Sequence, residues 1–200
     1  MEKQSKVIFL DIDGPMIPVR AQLIQQSAGA ARTFDPVAVS LLLDIISKSG
    51  AKLVISSTIG VHGYEHCCDM LDRNGISPSN LHQDWITPRK MSSYRIHEIV
   101  WWLDKHPEIT HYVAIDDEQL DIDWVKFAVQ CDAYEGFSFR NYLECAVMLD
   151  AVDVEQQDEH RRLIGYLKRR EVWRTTRDDR ERQRLYSISD ELFPLKDQND

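Results

Sequence analysis

The sequence predicts an α/β fold: a doubly wound, Rossmann-like parallel sheet with helices on both faces and right-handed crossovers. Three observations predict it. Short apolar runs at Val7 to Leu10, Leu53 to Ile55 and Tyr112 to Ile115 alternate with segments whose apolar residues recur at helical spacing. Glycine and proline punctuate the boundaries. The apolar runs end in acids or hydroxyls, which is where open α/β sheets bind ligands.

The first run, Val7-Ile8-Phe9-Leu10, stops at Asp11-Ile12-Asp13-Gly14-Pro15. It reads as a buried parallel strand that delivers two carboxylates to its end. Side chains alternate along a strand, so Asp11 and Asp13 share a side. Two close carboxylates repel, and a hard divalent cation such as Mg2+ is the natural neutraliser because it prefers oxygen ligands. The plainer alternative is turn chemistry, with Asp11 capping and Asp13-Gly14 turning.

Val19 to Thr33 is a polar, alanine-containing stretch that fits either a short flap or a loop with one helical turn. A helix starts at Phe34-Asp35-Pro36, with Asp35 as cap and Pro36 in the first turn. Its expected buried face is Val37, Leu41, Leu42, Ile45 and Ile46, and Ser49-Gly50 stops it. The second strand, Lys52 to Thr58, ends in the hydroxyls of Ser56, Ser57 and Thr58, which suit a phosphate because they donate without carrying charge. Tyr64 to Asn74 is the next helix, closed by Gly75, and an edge segment Leu81 to Ile86 follows.

Arg89, Lys90 and Arg95 precede a periodic helix, Ile96 to Lys105, in which at most one of Trp101 and Trp102 can be core. Cations at a helix start oppose its dipole, so they point to another use. The strand Tyr112 to Ile115 then repeats the opening pattern by ending in Asp116-Asp117. Acids at the end of a buried strand exceed what a solvated face requires. Phe127 to Gln130 reads as a last strand and Asn141 to Leu149 as a helix.

Two hundred residues, 43% of them hydrophobic, suit one domain over 1–150 with an appendage, a helical extension over 151–200. Between Arg161 and Arg184 the extension carries ten cations against four acids, a basic helix or helix pair with Leu163, Ile164, Leu167 and Trp173 as its apolar positions. Such a stretch either docks on the domain or on a second copy, giving a homodimer, or contacts a polyanion. The formal charge of −9 argues against general nucleic-acid binding by the whole chain. Cys67, Cys68, Cys131 and Cys145 show no metal spacing and read as reduced core residues. No apolar run spans a bilayer and Met1 to Lys6 lacks the core of a secretory signal, so no membrane partner and a cytoplasmic protein are expected.

Asp11-Ile12-Asp13-Gly14, the strand ending Ser56-Ser57, the cation ahead of a helix, and Ile115-Asp116-Asp117 resemble, in order, the four motifs of the haloacid dehalogenase (HAD) phosphohydrolases. More narrowly, Asp11 to Pro18, the Arg95 to Ile99 pattern and Trp102-Leu103 resemble the HAD domain of Swiss Army Knife RNA-repair proteins. The resemblance implies a phosphomonoesterase in which Asp11 is the nucleophile and Asp13 the general acid and base. Ser56 or Ser57 holds a phosphoryl oxygen, and Arg95 or Lys90 offsets its charge. Asp11, Asp116, Asp117 and the Asp13 carbonyl hold Mg2+. The short inserts imply little or no cap, which admits a bulky substrate such as a nucleic-acid end or a phosphoprotein; the leading expectation is a nucleotide or a nucleic-acid end. The competing expectations are a phosphotyrosine-protein or small-metabolite phosphatase of the same fold, and a non-catalytic binding or dimerisation module.

Overall fold

The computed structural model describes residues 5–27, 33–88, 94–120 and 123–175. Five parallel strands form one sheet: β1 (Ser5–Leu10), β2 (Lys52–Ile55), β3 (Leu81–Ile86), β4 (Ile109–Asp116) and β5 (Ala128–Gln130), in the order β3-β2-β1-β4-β5. The helices are α1 (Val19–Ser27), α2 (Pro36–Ser49), α3 (Tyr64–Arg73), α4 (Arg95–Asp104), α5 (Phe139–Met148) and α6 (Val154–Thr175). The chain falls into two compact units, Met1–Ala151 and Val152–Asp200.

The strand order explains where a site must lie. The chain leaves β1 toward β2 and β3, then crosses back to β4 on the other side of β1, so the direction of winding reverses between β1 and β4. Right-handed crossovers running in opposite directions put their helices on opposite faces, and their diverging loops open a crevice at that point. Leu10 pairs with Ile115, which makes Asp11 and Asp116 neighbours just beyond the last paired residues.

β1 is apolar throughout its second half because both faces are covered: Val7, Ile8, Phe9 and Leu10 have no exposed surface. On one face Val7 and Phe9 pack with Val54, Ala114, Ile99 and Trp102. Phe9 meets the Trp102 ring edge-on at 5.2 Å, and the Trp102 indole N–H donates to the Asp84 carbonyl at 3.0 Å. Trp102→Ala is expected to lower unfolding stability by about 3–5 kcal/mol, the usual cost of emptying an aromatic core site, in a urea denaturation. Trp101, only partly buried, should cost distinctly less when truncated.

Local signals set the helix boundaries. The Asp35 carboxylate accepts from Val37 N at 2.8 Å and Ala38 N at 3.3 Å, and Gly50 closes α2 at φ 68°, returning its N–H to the Ile46 carbonyl. The buried stripe of α2 is Ala38, Leu42, Ile45 and Ile46. This corrects the expected face: Val37 is 62% exposed, because the stripe starts one residue later at Ala38, and Leu41 is only half-buried. The second strand also ends earlier than expected, at Ile55, leaving the three hydroxyls beyond it. Val19–Ser27 is a nine-residue helix rather than a loop. Ser138 and Asn141 form a reciprocal capping box, so α5 begins at Phe139, two residues earlier than expected.

Cys67, Cys131 and Cys145 are buried free thiols and Cys68 is half-buried. In α6, Leu163, Ile164 and Leu167 are half-buried, whereas the Trp173 side chain and everything past Thr175, including the basic run to Arg184, lie outside the described residues. Among the described residues no helix is long and apolar enough to cross a membrane.

Candidate functional site

The acids that the sequence places at two strand ends converge. Ligand oxygens of Asp11, Asp116 and Asp117 all lie within 4.8 Å of one another. Asp11 and Asp116 are buried, at 6% and 2% exposure, and Asp117 is half-buried. The backbone fixes this: Asp11 N donates to the Ile115 carbonyl at 3.0 Å, and Cys131 N donates to the Asp116 carbonyl at 2.7 Å. The Asp116 carboxylate in turn accepts from Glu118 N at 2.9 Å.

Asp13 reaches the same place from a turn rather than a strand. The Met16 and Ile17 amides both donate to the Ile12 carbonyl, folding the chain back, and Gly14 sits at φ 91°. A Cβ at Gly14 would overlap the Asp117 side chain, so glycine is required both for its backbone angle and for that approach. The Pro15 carbonyl accepts from Phe137 N at 2.8 Å, tying the turn to the loop before α5. Asp11, Asp13, Gly14, Thr58, Arg95, Asp117 and Glu118 line one cavity of about 290 Å³.

Among the described residues, Arg95, the first residue of α4, brings a cation to these acids. Its Nη1 lies 3.2 Å from Asp11 Oδ1 and 3.6 Å from Asp116 Oδ2, and its side chain is 16% exposed. These are ion pairs without hydrogen-bond alignment, since Nη1 has no hydrogen-bond partner. The two carboxylates offset the cost of a cation at a helix start. Lys90, the other candidate, lies outside the described residues.

Burial pushes the Asp116 carboxyl up to about 7, with Asp11 and Asp117 adding to the rise and Arg95 opposing it. Burial also raises Asp11, against Arg95 and the nearby Ser57 hydroxyl, and raises Asp117. Three acids held where none ionises easily form a site short of positive charge. An all-carboxylate donor set suits a hard divalent cation, which the residues present therefore fit.

Ser56 and Ser57 are buried just past β2, and neither hydroxyl makes a hydrogen bond of full geometry, although Ser57 is close enough to favour ionised Asp11. Neither serine lines the cavity itself; Ser57 reaches it only through its contact with Asp11. Thr58 lines the cavity itself, as do Val19 and Gln22 of α1. Thr58 was visible in the sequence as the third hydroxyl of its run; Gln22 and Glu118 carry no signal there, because only the folding of α1 and the β4 loop brings them in.

Comparison with curated proteins and with solved structures returned no match. A family model described as the HAD domain in Swiss Army Knife RNA repair proteins matches residues 7–142. That span contains every element from β1 into α5, with the acid cluster inside it, and the activity of such domains is of the hydrolase and phosphatase type. The chain belongs to the HAD domain family of Swiss Army Knife RNA repair proteins.

Proposed function

We propose that residues 1–150 form a Mg2+-dependent phosphomonoester hydrolase that works through an aspartyl phosphate on Asp11, with residues 151–200 as an extension that begins with α6. The substrate is a nucleotide or the phosphorylated end of a nucleic acid, in keeping with the RNA-repair proteins in which the matching domain occurs. The observation that carries the reading is the buried carboxylate trio with a guanidinium against it. Without a cation such a cluster costs stability and serves no packing purpose.

Each side chain then has a task. Asp11, held by its amide on β4, is the carboxylate that attacks phosphorus. Asp13, on the wall of the same cavity, donates a proton to the leaving oxygen and recovers one from the water that cleaves the acyl phosphate. Arg95 offsets charge on the transferred group, and Ser57, beside Asp11, donates to one of its oxygens. Asp11, Asp116, Asp117 and the Asp13 carbonyl would hold the metal, which supplies charge neutralisation between nucleophile and anionic substrate.

Release of inorganic phosphate from an aryl phosphate tests this. Turnover is expected with Mg2+, is lost on adding EDTA and returns on adding excess Mg2+. Turnover indifferent to chelation sinks the metal-dependent mechanism.

A further inference from the structure

A second cavity, of about 480 Å³, adjoins the catalytic one. Asp13 and Thr58 line both, whereas Asp11 lines only the first. Ile17, Ile59 and Met70 give it an apolar wall, and His62 and His66 stand exposed beside them. The two imidazole rings lie 4.9 Å apart at 48°. Gly63 brings them together: at φ 91° it turns the chain sharply between the 3-10 turn Thr58–His62 and α3, in a conformation most other residues resist. Asn74 is wall rather than recognition, since its amide is committed to the Met70 carbonyl and the Phe34 N–H.

We propose that this cavity is the leaving-group subsite, and that it seats a nucleoside with its base on the His62–His66 pair. The inference rests on the phosphatase reading and deepens it. In an in-line displacement the Asp11 oxygen forms the new bond to phosphorus while the bond to the leaving oxygen breaks on the opposite side; that oxygen takes the Asp13 proton. The leaving group therefore lies where Asp13 is reachable and Asp11 is not, which describes the second cavity. Its volume is in the range of about 300–1,000 Å³ usual for small-molecule sites. A flat ring with polar edges matches imidazole faces next to an apolar wall. The polar edge of a base, which a phenyl ring lacks, would meet Asp69, paired with Arg73 at 3.7 Å, and Thr33, whose hydroxyl accepts from Gln25 at 3.0 Å; both line the cavity.

Steady-state rates on adenosine 3′- and 5′-monophosphate, phenyl phosphate and glucose 6-phosphate test it, with adenosine monophosphate binding to the full-length Asp11→Asn protein measured by calorimetry. His66→Ala should raise KM for the better nucleotide about tenfold, the scale of one lost base stack, with a much smaller rise for phenyl phosphate. His66→Phe, which keeps a ring, should restore most of the loss, and His62→Ala should act like His66→Ala. Equal changes on all substrates, or no nucleotide preference in the wild type, overturn the subsite while leaving the phosphatase standing. No turnover of any monoester, with calorimetric binding that is lost in His66→Ala, overturns the phosphatase and leaves the nucleoside seat.

Discussion

Asp11→Asn is expected to reduce phosphate release by about a thousandfold or more, because it removes the carboxylate proposed to attack phosphorus. The substitution is nearly isosteric and keeps the backbone bond to Ile115 that positions the residue. It also removes one charge from the cluster, so the metal-free variant should unfold no more easily than the wild type at neutral pH. Lost turnover with retained stability, read from initial rates and a thermal melt on the same sample, separates a missing nucleophile from a damaged fold. Substantial residual turnover would assign the attack to water or to another side chain.

Asp116→Asn is expected to do opposite things to stability and to metal binding. In the wild type, the Asp116 carboxyl sits at about 7 when folded against an ordinary aspartate value of 3.8, so between those values the folded chain binds more protons than the unfolded one. Stability then falls as pH rises through that window, and the raised carboxyls of Asp11 and Asp117 act in the same direction. The metal-free protein should therefore melt at progressively lower temperature from about pH 4 to about pH 7, and Asp116→Asn should flatten that decline. Mg2+ at a hundred times its pH 7 dissociation constant should add about 2.7 kcal/mol at pH 7, roughly 5–10 °C for a chain of this size, and the same concentration should add less at pH 5. Asp116→Asn should erase most of that gain. A wild-type melting temperature that Mg2+ leaves unchanged would remove the metal site.

The acids were legible before the structure because strand-end carboxylates follow from a short-range pattern: four apolar residues and then Asp11-Ile12-Asp13, or Val113-Ala114-Ile115 and then Asp116-Asp117. That the two strands are neighbours is a matter of sheet order, which the spacing of motifs only implies. The cation was legible only in part. The Arg95 to Ile99 pattern puts Arg95 ahead of Lys90, but the contact itself depends on the place of Arg95 at the first turn of α4, from which its long side chain reaches Asp11 at the end of β1. Val37 misled because a helical face one residue wide at its edge cannot be told from its neighbour by periodicity alone; packing chose Ala38. The second cavity was equally hidden, since the spacing of His62 and His66 does not show the turn at Gly63 that brings their rings together.

The most direct measurement is an acid quench of a single turnover with radiolabelled aryl phosphate and Mg2+, followed by peptide mapping. Transient label on the peptide that contains Asp11, absent from the Asp11→Asn protein, is the predicted result. Label that passes into free phosphate without ever residing on the protein, while turnover proceeds at its normal rate, contradicts a phosphorylated Asp11.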